Sequence, residues 1–168
     1  MTAARRNRKA CPARIFAGIL LACAAVLPGT TGLRAAATSE QVVLDRHTGL
    51  AIHGFDPVAY FTDARPAVGR KQLELSFAGV IWRFRNAGNR AAFAEHPDIY
   101  MPRFGGYDPV AVGRGVATPG HPHLWLVADD RLYLFHSLEA QSTFAADPEQ
   151  AIAAAQARWA DVRNTLIP

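Results

Sequence analysis

The chain has 168 residues, half of them hydrophobic, with 18 basic and 14 acidic side chains and a formal charge of +4 at neutral pH. That length suits one domain, and the basic excess is confined to residues 1–37. Arg5, Arg6, Arg8, Lys9, Arg14 and Arg34 lie there without an acidic residue, leaving twelve basic against fourteen acidic side chains in residues 38–168, a net −2. A body so close to neutral lacks the basic footprint that nucleic-acid binding needs. Both cysteines, Cys11 and Cys23, fall in the same opening segment, so the body has no disulfide, thiolate nucleophile or cysteine metal ligand to offer.

Residues 1–37 read as a secretory signal. Basic residues precede a mostly apolar run from Ile15 to Leu27, and the small residues Ala35-Ala36-Ala37 mark a cleavage point. The apolar run is shorter than the roughly 20 residues a membrane-crossing helix requires, so the expectation is export to a periplasmic or extracellular location, with no membrane span after the signal is removed. A competing reading takes Leu20-Leu21-Ala22-Cys23 as a lipoprotein box with Cys23 as the anchor, but the residues after Cys23 stay apolar where a polar tether belongs.

The remainder, residues 38–168, carries an internal repeat over approximately 54–103 and 106–155. "FDPVAY" at Phe55–Tyr60 returns as "YDPVAV" at Tyr107–Val112, and Trp82, Phe84, Phe93 and Pro97 return as Tyr133, Phe135, Phe144 and Pro148. Two units of half-domain size, each unable to close a core alone, are the economical reading. In each, an Asp-Pro pair opens a helical turn, since Asp caps free N–H groups and Pro fits the first helical position. The alternative for Asp56 and Asp108 is a carboxylate pair for acid–base work or ligand binding, with Tyr107 beside it; that requires convergence and displaced pKa values.

Alternation in "LELSF" (Leu73–Phe77) and "VIWRFR" (Val80–Arg85), separated by Ala78-Gly79, predicts a β-hairpin. Asn86 then caps a helix carrying Phe93, which His96-Pro97 ends. Gly105-Gly106 marks a turn between the units. The second unit repeats the order: strand His123–Val127, turn at Asp129-Asp130, strand Arg131–His136, Ser137 as cap, and a helix bearing Phe144. Asp147-Pro148 starts a final helix whose Ile152, Ala155, Trp159, Val162 and Leu166 recur at spacings of three and four and so face a core. The fold class expected is α+β: two related β-hairpin–helix units in one small domain, with a C-terminal helix.

"GFDPVAYF", "WRFRNAGNRAAFAEHPDIYMPRFGGYDPVAV" and "LYLFHSLEAQSTFAADPEQAIAAAQARW" resemble the exported, stand-alone members of the YHS-domain family over roughly Gly54 to Trp159. The resemblance implies a small α+β domain and, because such domains occur beside metal-transporting ATPase and monooxygenase modules, a role in metal binding, often through cysteine. This chain departs from that pattern: Asp108, not cysteine, follows Tyr107, and the letters that name the family are met only by Tyr133, with His136-Ser137 beyond it.

Histidine is the remaining route to a metal. If the second hairpin turns through Asp129-Asp130 alone, His123 opposes His136, close enough for two imidazoles to share an ion. His121 joins them if the strand stays extended, giving an open three-histidine site for copper or zinc. The plain alternative is a solvated cross-strand pair, with Pro122 ending the strand. There is no G-x-S-x-G, H-E-x-x-H, phosphate loop or dinucleotide fingerprint. The sequence therefore points to a non-enzymatic exported domain binding a small ligand or metal ion, with an envelope protein–protein interaction module as the alternative.

Overall fold

The computed structural model describes residues 41–166; the expected signal, its cysteines and the Cys23 anchor lie outside the described residues. The described body is a mixed α+β fold with two separate antiparallel hairpins. In the first, β1 (Arg70–Phe77) pairs with β2 (Val80–Phe84). In the second, β3 (His121–Ala128) pairs with β4 (Arg131–Phe135). Both turns have two central residues at positive φ: Ala78 (53°) and Gly79 (77°), then Asp129 (49°) and Asp130 (54°). Two left-handed residues give a turn whose twist matches the strands it joins.

A short helix precedes each hairpin, α1 (Ala59–Thr62) and later α4 (Pro109–Gly113), and a nine-residue helix follows each, α2 (Ala87–Glu95) and α5 (Leu138–Ala146). Asn86 Oδ1 accepts from the Asn89 N–H at 2.7 Å and Ser137 Oγ from the Ala140 N–H at 3.1 Å, so the same cap position is used twice. A proline then opens the next helix in each half, and here the halves part. The first has only α3 (Pro97–Tyr100), whereas the second has the 17-residue α6 (Pro148–Asn164).

The core lies between each hairpin and the helix behind it. Trp82 and Phe84 pack on Phe93 with ring centroids 4.9 and 5.2 Å apart. Tyr133 and Phe135 pack on Phe144 at 4.8 and 5.1 Å. All six rings are buried, and alternation explains why: β2 and β4 turn one face inward, and that face carries the aromatic residues. Along α6, Ala155 and Val162 are fully packed while Ile152 and Trp159, with Leu166 just past the helix end, cover the same cluster from its edge, as the spacing of three and four requires.

The loop entering each hairpin passes tightly over the far strand. The Gly69 N–H donates to the Gly54 carbonyl at 2.9 Å, and the Gly120 N–H to the Gly106 carbonyl at 3.0 Å. A Cβ at Gly69 would stand 2.5 Å from Arg83 backbone carbon, and one at Gly120 2.6 Å from Leu134 Cβ. Neither neighbour is free to move, since each belongs to a paired strand. Gly69→Ala and Gly120→Ala should therefore each lower stability by about 2 kcal/mol or more, the range for over-packing a filled site. Urea denaturation reads this directly, and a loss under ~0.5 kcal/mol at either position would show that the loop relaxes.

Candidate functional site

The Asp-Pro carboxylates are the most buried charged groups described. Asp56 is fully buried and Asp108 nearly so. Asp56 Oδ1 accepts from the Val58 N–H at 2.9 Å, while Oδ2 accepts from the Arg85 N–H at 2.8 Å and Asn89 Nδ2 at 2.7 Å. Asp108 Oδ1 accepts from the Val110 and Ala111 N–H groups at 2.8 and 3.3 Å, and Oδ2 from the His136 N–H at 2.9 Å. Asp108 thus caps α4, as expected, whereas Asp56 holds the turn that leads into α1, whose cap position is Val58; each carboxylate also reaches the residue just past the second strand of its own hairpin. Three donors on a buried carboxylate compensate much of its lost hydration, and every oxygen points at a backbone or amide donor of the scaffold.

Tyr107, the third residue expected to touch a ligand, is buried with its ring 6.3 Å from that of Trp159. It borders a hollow of about 60 Å³ shared with Val42, Leu44 and Pro119, room for one or two water molecules rather than an organic ligand.

The expected opposition of His123 and His136 does not form. Pairing runs from Ala128 opposite Arg131 to Trp125 opposite Leu134, then slips, so that His121 lies opposite Phe135. The first hairpin slips at the matching place, between Arg70 and Glu74, with Lys71 where the second has Pro122, so the slip belongs to the repeated scaffold; Pro122 suits it because it has no N–H for the ladder, and its carbonyl accepts from Tyr60 Oη at 2.9 Å. The bulge takes His123 out of register. His136 follows the end of β4, exposed, with its N–H committed to Asp108. His121 and His123 do approach, with ring centroids 5.5 Å apart, but the His123 N–H donates to His121 Nδ1 at 3.2 Å and the His123 ring stands edge-on to Phe55. Among the described residues no three His, Cys, Asp or Glu side chains are grouped to hold a metal ion.

Tyr60 joins the halves. Its hydroxyl holds Pro122 of the second hairpin and its ring meets that of Trp125 edge-to-face at 5.3 Å. Burial, reinforced by the negative charge of Asp56, pushes the phenol well above its ordinary value of 10.0.

A larger groove lies elsewhere, in the second half alone. Between α4, α5 and α6 is a groove of about 320 Å³ lined by Val110 and Gly113 of α4 and Ala151 and Ala154 of α6, with Arg114 and Asp147 also in its lining. A smaller hollow of about 90 Å³ adjoins it, sharing Val110 and Arg114 and adding Glu139. The Asp147 carboxylate caps α6, accepting from the Gln150 N–H at 3.0 Å. Arg114 is exposed, and its guanidinium meets no hydrogen-bond or ion-pair partner among the described residues. None of these residues stands out in the sequence as a chemical motif. The signal is a disagreement inside the repeat: Gly113 and Ala151 fall where the first half has Phe61 and Tyr100. No family model, no curated protein and no solved structure matches this chain.

Two expectations follow. Asp108→Ala should lower stability by about 2–3 kcal/mol, because it strands the Val110, Ala111 and His136 N–H groups; Asp56→Ala, which strands three donors at 2.7–2.9 Å, should cost at least as much, both read by urea denaturation. For Tyr60, a phenol held above its ordinary pKa stabilises the fold fully below pH ~10, and that contribution is lost as pH rises towards the folded-state value. Tyr60→Phe should therefore cost about 1 kcal/mol at pH 7 by removing the hydrogen bond to Pro122, yet lose less further stability between pH 10 and 11.5. Identical alkaline slopes for the two proteins would show that Tyr60 ionises without resisting.

Proposed function

We propose that this chain is an exported, non-enzymatic YHS-type domain that binds a small organic molecule in the groove between α4, α5 and α6. The groove carries the reading. Its volume falls within the range of small-molecule sites, and it combines apolar walls with a few polar groups at the rim, the usual composition of such sites. Of the two ligand types the sequence admits, a small molecule is favoured over a metal ion because the bulge between His121 and Trp125 takes His123 away from His136. Export rests on the order of basic, apolar and small residues in 1–37, and family membership on the motifs from Gly54 to Trp159.

Binding here requires no chemistry from Asp56 or Asp108, whose oxygens are occupied by the scaffold. Their part is to hold α1 and α4 rigidly against the hairpins, so that the Val110 wall of the groove stays in place.

Native mass spectrometry of the protein purified from its host's envelope fraction should show a bound small molecule. Amide NMR of the purified protein, titrated with benzyl alcohol, octanoate and indole, should give saturable shifts centred on Val110 and Ala151. Ala151→Phe places a ring in the groove from a half-exposed position; it should abolish those shifts while changing stability by only about 1 kcal/mol. A co-purifying protein subunit with no small mass, or a panel of probes that leaves the groove unmoved, would replace this reading with that of an interaction module.

A further inference from the structure

The loop that enters the first hairpin carries Arg65, Arg70 and Lys71 within seven residues, with Val68 between them. All four are exposed, Val68 to 66%. The carboxylates nearest along the chain are already engaged, Asp63 with Arg85 and Glu74 with Arg83. Among the described residues nothing pairs with Arg65, Arg70 or Lys71, so three positive charges stand uncompensated around one bare apolar side chain. The backbone fixes this display. The Asp56 N–H donates to the Ala67 carbonyl at 2.8 Å and the Gly69 N–H to the Gly54 carbonyl at 2.9 Å, on either side of the bridge between Phe55 and Val68. Extended chain sends alternate residues to opposite faces. With Gly69 pressed onto the Arg83 backbone, Val68 and Arg70 turn outward.

The second half uses the same loop differently. Gly69 matches Gly120, so Val68 matches Pro119, Arg70 matches His121 and Lys71 matches Pro122. Pro119 lines a small hollow with Val42 and Leu44, and Pro122 is buried. Residues 116–122 hold no Lys, Arg, Asp or Glu. A loop that the chain itself covers in one copy is thus left bare in the other and supplied with three cations, which the shared scaffold does not require.

We infer that this loop docks the protein on an anionic lipid surface, with Arg65, Arg70 and Lys71 against lipid phosphates and Val68 entering the headgroup boundary. Cations near such a surface are attracted by its negative potential, and apolar side chains beside them add burial. An acidic peptide would match the charges but has no apolar layer for Val68 to enter, whereas headgroups part around it. The rest of the chain is charged to suit. Residues 38–103 hold eight basic and seven acidic side chains and residues 104–168 four and seven, so the field of an anionic surface draws the first half towards it and turns the second away. The inference is independent of the α4–α6 groove, which lies in the other half.

Flotation of the purified protein with vesicles of phosphatidylglycerol mixed into phosphatidylcholine, against phosphatidylcholine alone, tests this. Binding should require the anionic lipid and fall about tenfold between roughly 50 and 300 mM salt, as screening dictates. Arg65→Gln with Arg70→Gln and Lys71→Gln should weaken it about 100-fold, at roughly fivefold for each cation, and leave urea denaturation unchanged because all three side chains are exposed and unpaired. Val68→Trp should tighten binding about fivefold, since indole favours the interface, and Val68→Ser should weaken it about as much. Equal flotation with phosphatidylcholine alone, as a retained signal or a lipid on Cys23 would give, overturns the inference. So does absence of flotation with either vesicle, or binding that survives the triple substitution. Polyglutamate that binds as tightly as the anionic vesicles, with no response to Val68→Trp, overturns it in favour of an acidic protein partner.

Discussion

A carboxylate without water must be surrounded by donors, and this fold satisfies that requirement twice in nearly the same way. Asp56 and Asp108 each collect N–H groups from the helical turn that follows and from the residue just beyond a strand 28 or 29 positions later. Burying an unpaired charge would be prohibitive, whereas burying one that accepts three hydrogen bonds ties distant segments at modest cost. Much of the local geometry follows from this tie. The chain must arrive at each Asp with its backbone N–H already bonded to the far side of the loop, to Ala67 or Thr118. It reaches that orientation through three consecutive residues at positive φ, Ile52-His53-Gly54 and Phe104-Gly105-Gly106. Positive φ at Ile52 and Phe104 is unfavourable by itself, and both side chains are buried, so the packing and the carboxylate bonds together hold the turn.

Much of the architecture was legible because its signals are local. Ala78-Gly79 and Asp129-Asp130 suit two-residue turns, Asn86 and Ser137 suit helix caps, and the prolines at 97, 109 and 148 sit at helix starts as their fixed φ and missing N–H dictate. The strands proved longer than their alternation indicated, reaching back to Arg70 and His121, because each β1–β2 or β3–β4 ladder resumes after a bulge. That bulge was the decisive illegible feature. Pro122 was visible as a residue hostile to pairing, but the hydroxyl that captures its carbonyl belongs to Tyr60, 62 positions away. The same slip in the first hairpin, with Lys71 in place of Pro122, belongs to the close approach of Gly69 and Gly120 to the far strand, which turn geometry alone does not reveal, and with it went the facing histidines.

The groove was hidden for a different reason. Glycine and alanine carry no chemical signature, and Gly113 and Ala151 reveal a space only when set beside Phe61 and Tyr100. Even then the comparison needs the short helices to be placed, since 38 residues separate Gly113 from Ala151 in the chain. A repeated sequence thus conceals its functional information in the positions where the copies disagree, while the positions where they agree report the scaffold.

The second half can leave that space unfilled because its core is closed from farther along the chain. In the first half the helix opened by Pro97 ends after a single turn, and the ring of Tyr100 must itself seal the edge of the cluster. In the second half the helix opened by Pro148 continues for 17 residues, bringing Trp159 against Phe104 at 5.7 Å and burying Val162. Those later turns supply the apolar cover, so position 151 no longer has to. Lengthening one helix therefore releases position 151 from the duty of sealing the core, while glycine at 113 lets α4 pack directly on Ala154 of α6.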